Sequence, residues 1–93
     1  MILSVKHTVT DFNAWKLGFD EHAGKRKEHG ATGHRLAQGL DDPNALTVLI
    51  MFPDRSNAEG FLADASLREA MANAGVVGQP SIELIEVTEE VPY

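Results

Sequence analysis

The chain has 93 residues, no cysteine, and a net charge of −6 from fourteen acidic side chains against eight Lys and Arg. A chain of that length forms one small domain, residues 1–93, with a single modest core. Its acidic balance argues against nucleic-acid and anionic-membrane partners, and the missing thiols exclude disulfides, thiolate catalysis and cysteine metal sites.

Residues 2–9 predict a strand, because Leu3, Val5, His7 and Val9 alternate with Ser4, Lys6 and Thr8. Asp11 is a good N-cap for a helix running to about His29, where Gly30 supplies the stop. Residues 31–39 predict a weaker strand, and Asp41-Asp42-Pro43-Asn44 is dense turn chemistry. Residues 45–52 form the strongest strand, apolar on both faces, so both faces should be covered. Ser56 and Glu59, then Ser66 and Glu69, match two capping boxes, which predicts a helix near 55–64 and a short one near 66–74. Gly75 closes the second. Residues 76–80 read as a loop, 81–88 as a last strand, and 89–93 as a tail able to reach a neighbour. The longest nearly apolar run, 45–52, is far short of a membrane span, and the first residues lack a signal-peptide pattern, so a cytoplasmic protein is expected.

The order strand, helix, strand, strand, helix, strand is the split βαβ arrangement, an α+β ferredoxin-like fold with a four-stranded antiparallel sheet and both helices on one face. The two-sided apolar character of residues 45–52 then points to a second subunit packed sheet to sheet, a homodimer.

Phe12, Trp15, Phe19 and His22 fall at helical spacing and share one stripe of the first helix. A titratable ring among aromatics, on a face meant for burial, is where a small-molecule site begins. His22 is the leading candidate for a general base, since imidazole titrates near neutrality; a packed histidine satisfied by a carbonyl or carboxylate is the competing reading. His7 shares the apolar side of the first strand, so it faces either the helices or a partner sheet. His34 and Arg35 are adjacent on a strand and point to opposite faces; whichever faces the helices could steady a bound oxyanion. Phe12, Trp15 and Phe19 are expected as core and ligand-contacting wall together. Lys25-Arg26-Lys27 and His29 read as cations that complement a helix C-terminus. No His pair stands at i,i+4 and no His-Glu-x-x-His occurs, so no metal site is expected.

Three stretches carry a resemblance. They are Val9-Thr-Asp-Phe-Asn-Ala-Trp15 through Phe19-Asp-Glu-His22, the hairpin from Asp41 to Phe52, and Ala58-Glu-Gly-Phe-Leu62 followed by Leu67-Arg-Glu-Ala-Met71 and Ala74-Gly-Val76. Together they resemble the dimeric α/β-barrel superfamily, the group of antibiotic-biosynthesis monooxygenase-like small stand-alone proteins. The resemblance implies a dimeric α/β barrel with a pocket between each subunit's own helices and sheet. It also implies cofactor-free monooxygenase or cyclase-like chemistry on an aromatic or polyketide-like compound. Haem-degrading relatives resemble one another in binding iron through a His of the second helical region; residues 55–75 contain none, so no cofactor is expected. Asn13 and Trp15 stand on the first helix, where those relatives' Asn and Trp roles do not transfer. The alternative is a non-catalytic ligand-binding or structural dimer, favoured by the lack of any complete catalytic constellation.

Overall fold

Strand β1 (Ile2–Val9) lies inside a four-stranded antiparallel sheet, between β3 (Ala45–Met51) and β4 (Val76–Ile85), with β2 (Gly33–Gln38) beyond β3. This computed structural model describes all 93 residues. The sheet order β2-β3-β1-β4 is that of the expected ferredoxin-like fold. Helices α1 (Phe12–Glu21), α2 (Ala23–Glu28), α3 (Arg55–Ala63) and α4 (Ala65–Asn73) complete it. No helix is long and apolar enough to cross a membrane.

Period-two alternation decides which residues meet the helices. Leu3, Val5 and Val9 of β1 and Leu46, Val48 and Ile50 of β3 are buried, together with Phe52, Trp15 of α1, and Ala58 and Phe61 of α3. Leu49 and Met51, on the other face of β3, are only half-buried in the single chain.

Four local expectations need correction. The first helix does not run unbroken to His29. His22 separates α1 from α2, with ψ near 1°, and the Lys25 N–H bonds back to the His22 carbonyl at 3.1 Å, the tighter 3₁₀ spacing. Gly18 and Gly24 flank the break and weaken the helix on both sides. Secondly, neither capping-box serine is the N-cap. Asp54 caps α3 by accepting from Asn57 N–H at 2.8 Å, and Asp64 caps α4 by accepting from Ser66 N–H at 2.9 Å. A carboxylate at the positive end of a helix outcompetes a hydroxyl two residues inside it.

Thirdly, residues 76–80 are strand rather than loop, and β4 ends at Ile85, short of residue 88. The register shifts between Lys6 and Thr8: Lys6 opposes Ser81 while Thr8 opposes Val77. Three residues of β4 thus face His7 alone. Gly78, at φ +70°, and Pro80 sit in that bulge. Both are tolerated because β4 is an edge strand and a bulge forgoes ladder hydrogen bonds. Finally, Lys25, Arg26 and Lys27 do stand in the last turn of a helix, α2, but Arg26 is also buried.

Candidate functional site

The helices and sheet border a half-open apolar cavity with about 60 Å³ of interior volume. Thirteen of its seventeen lining residues are apolar; the polar ones that matter are His7, His22 and Arg26. Trp15 and Phe19 of the predicted stripe line it as well. Outside the seam between α1 and α4 lies an open cleft of about 390 Å³, and Gly18, His22, Ala70 and Ala74 border both spaces. Gly18, Ala70 and Ala74 put little side-chain bulk between the two spaces. An apolar cavity that admits benzene measures about 150 Å³, so a ring fits inside only if the lining shifts. Helix α4 buries no residue fully, so it is the lining helix held least by burial.

His22 stands at the helix break with its ring 5.8 Å from that of Phe61. Its Nε2 lies 3.1 Å from Ser66 Oγ. Ser66 also bonds Asp64 through its backbone N–H, at 2.9 Å, with its hydroxyl close to the same carboxylate, and His29 Nε2 lies 2.8 Å from Asp64 Oδ2. The result is a polar chain, His22–Ser66–Asp64–His29, joining α2's start and end to the start of α4. The His29 hydrogen bond first, then those from Ser66, hold the Asp64 carboxyl well below the ordinary carboxylate range. A hydroxyl has one proton. Donated to Asp64, it leaves Oγ to accept from His22 Nε2–H, and the neutral ring then carries its lone pair on Nδ1. Burial, then the charge of Arg26, lowers the His22 pKa; Lys25 adds to this and Asp64 opposes it. His22 is therefore an unprotonated imidazole at neutral pH, a base rather than an acid.

His7 faces the helices, its ring edge-on to Trp15 at 5.6 Å. Both of its ring nitrogens are buried without a hydrogen-bond partner, and burial lowers its pKa. A neutral imidazole left so loses about 1–3 kcal/mol per unsatisfied group, a cost that a bound ligand or water in the cavity relieves. His7→Leu is expected to raise stability by about 1 kcal/mol or more, because apolar replacement of an unsatisfied buried group is neutral to favourable. Chemical denaturation checks this; a loss of stability would mean that the His7 ring is satisfied in the native protein.

The remaining predicted residues divide by register. His34 opposes Ile50 and lies on the helix side, edge-on to Phe19 at 4.9 Å, yet it is exposed and outside the cavity. Arg35 opposes Leu49 on the far side of the sheet, so it takes no part in the cavity. Phe12 extends the aromatic row, 6.1 Å from Trp15, but does not line the cavity either. The residue missed is Arg26, only 5% exposed, with its guanidinium 3.7 Å from the Phe19 ring centroid and its Nη1 donating to the Phe19 carbonyl at 2.8 Å. The signal for it was present: Trp15, Phe19, His22 and Arg26 continue one stripe at steps of four, three and four. The basic run hid it. No group of three His, Asp or Glu side chains is close enough to hold a metal ion.

The lowered pKa values of His7, His22 and His34 have one consequence for stability. Below the ordinary value of 6.5 the unfolded chain binds more protons at these sites than the folded one. Their neutral-state stability is therefore full above about pH 6.5 and is lost as the pH falls through the folded values. Asp64 adds a second loss only in stronger acid, below the ordinary carboxylate value of 3.8. Tm measured from pH 8 to pH 5 is expected to fall through the lower part of that range, and less so in His7→Leu. A flat profile in the wild type would contradict the burial of the His7 and His22 rings.

No protein-family model matches the chain, and no curated protein matches it. Solved structures do. A variant of SnoaB, a cofactor-independent oxygenase from Streptomyces nogalater, superposes with a TM-score of 0.76 at 16% identity, covering 99% of this chain and 96% of that one. A Caulobacter crescentus protein named for the antibiotic biosynthesis monooxygenases gives a TM-score of 0.75 at 17% identity, covering 95% and 89%. The fold is that of the antibiotic biosynthesis monooxygenases. At such identities the likeness speaks for the fold, and the chemistry rests on the side chains of the cavity.

Proposed function

We propose that this protein is a cofactor-free oxygenase that removes a proton from a small aromatic or polyketide-like compound in the cavity between the helices and the sheet. The observation that carries this is His22: an imidazole at the cavity wall with Nε2 3.1 Å from Ser66 Oγ; with Nε2–H donating to that oxygen, Nδ1 is the basic nitrogen. Transfer of an acidic ring C–H or phenolic proton to Nδ1 leaves a stabilised carbanion. That carbon adds dioxygen, and loss of water from the hydroperoxide turns a CH₂ into a carbonyl, with one O₂ consumed and one water released. The same proton removal without oxygen leads to ring closure, the cyclase-like variant. His7 is the second imidazole at the cavity, with nitrogens free to bond a ligand oxygen. Trp15 and Phe19 offer flat apolar walls. The oxyanion role considered for His34 or Arg35 does not suit their places on the rim and on the far side of the sheet. The SnoaB likeness supports the oxygenase class as analogy of fold. Oxygen uptake by the purified protein with dihydroxy aromatics tests the reading: uptake above the protein-free rate is expected, and none across such a series would sink it.

A second reading, a non-catalytic ligand-binding dimer, is favoured by the cavity's small volume in the closed chain. It differs in outcome, giving binding of the same compounds with no oxygen consumed.

In either case we infer a homodimer through the open sheet face. Ile85 and Val77 of β4 are exposed, Leu49 and Met51 of β3 are half-covered, and Val87, Val91 and Tyr93 stand free in the tail. A domain this small gains stability by burying such surface. Light scattering is expected to give twice the 10.1 kDa chain mass; a monomer at micromolar concentration would refute the pairing. A cytoplasmic setting suits the cysteine-free composition.

A further inference from the structure

We propose that the cavity selects an aromatic carboxylate, with Arg26 as the residue that holds the carboxylate group. This rests on the reading of the cavity as a ligand site, and not on its reaction being an oxygenation.

Arg26 is a buried cation without an anion. The four ion pairs of the chain are Lys16–Asp20, Lys25–Glu28, His29–Asp64 and Arg55–Glu59, none of which includes it. Asp20, the acid whose charge favours the guanidinium, is engaged by Lys16 at 2.6 Å. A guanidinium does not escape by deprotonation, and a largely buried charge with no ion-pair partner carries a desolvation cost that a bound anion offsets. Its one hydrogen bond, from Nη1 to the Phe19 carbonyl, together with the Phe19 ring against its face, fixes the plane of the group. Nε and Nη2 have no hydrogen-bond partner in the chain, and unlike the His7 nitrogens they are not sealed from contact, so they remain reachable by a ligand atom. Those two atoms form the side-on fork whose parallel N–H bonds match the two oxygens of a carboxylate.

The surroundings narrow the ligand further. Arg26 is the only Lys or Arg that lines the cavity, so the second charge of a phosphate would go unmatched. Burial disfavours the charged forms of His7 and His22, which leaves one permanent cation for one anion. The rest of the lining is apolar, with the stacked Trp15 and Phe19 rings 4.8 Å apart. A flat hydrocarbon body with a single acidic head fits that pattern.

Trp15 is the only tryptophan, and it lines the cavity, so its indole N–H resonance reports occupancy without any need for turnover. Titrations with 2-naphthoate and with its methyl ester, followed by that resonance, compare an anion with a neutral ligand of the same ring. Naphthoate is expected to bind roughly tenfold tighter or better, the range of a charge-assisted pair. In Arg26→Met, which keeps the apolar stem, that preference is expected to disappear. Arg26→Lys, which keeps charge but loses the fork, should retain part of it and guards against a Met variant that does not fold. Equal binding of acid and ester by the wild type, a preference that survives in Arg26→Met, or binding of neither probe would each overturn the proposal. Naphthoate has no phenolic proton to lose, so the result is independent of oxygen uptake. Consumption of oxygen on neutral dihydroxy aromatics, with no acid preference in binding, would remove the carboxylate and leave the oxygenase.

Discussion

Phe61→Ala is expected to cost about 3–5 kcal/mol, the range for truncating a buried phenylalanine. Phe61 is 2% exposed and touches three things at once. Its ring lies 5.7 Å from Phe52 of the core, 5.8 Å from His22 and 5.9 Å from His29. The truncation therefore opens a void between α3 and the sheet and loosens both histidines of the polar chain. Against a typical stability of about 5–15 kcal/mol this is a large fraction, and for a domain of this size it lowers Tm by more than ~12 °C. Thermal unfolding at fixed protein concentration checks it, since subunit pairing would make Tm concentration-dependent. A fall of a few degrees would show that neighbouring side chains refill the space and that Phe61 is not the common support of the two histidines.

His22→Ala is the largest expected effect on activity. Loss of a positioned base lowers oxygen consumption by about 10²–10⁴-fold. The fold should persist, because the ring is only partly buried and its one hydrogen bond is to a serine hydroxyl. Ser66→Ala gives a smaller loss, with the acid limb of the pH–rate profile displaced, since the hydroxyl sets the tautomer and carries the influence of Asp64 to the ring. The wild-type rate should fall on the acid side only below about pH 6.5, because burial and Arg26 hold the His22 pKa under its ordinary value. A His22→Ala protein that is folded and within tenfold of wild type would take the base role away from this residue. It would leave His7 as the other imidazole on the cavity.

The aromatic stripe of α1 was legible without coordinates, because spacing along a helix is decided by neighbours three and four residues apart. Lys25-Arg26-Lys27 does stand in the last turn of a helix, as read, but the burial of Arg26 was missed for a definable reason. Adjacent helical residues point in different directions, and composition of a run says nothing about which member lies over the sheet. His34 and Arg35 stayed ambiguous for a related reason: alternation says that they oppose one another, and only strand register says which one meets the helices. The β4 bulge was missed because Gly78 and Pro80 are locally loop-like, and pairing along β1 overrides that preference.

Local pattern in the sequence was enough to determine the order of elements, the fold class, and the row Phe12, Trp15, Phe19, His22, since each depends on periodicity within a few residues. Tertiary structure alone decided what those residues do. The contact of His22 with Ser66 spans 44 positions, and that of His29 with Asp64 spans 35. Neither the orphaned nitrogens of His7 nor the unpaired charge of Arg26 exists until α4 and the sheet close over them. Burial and pairing are properties of what surrounds a side chain in space, and chain position does not encode that by any short-range rule.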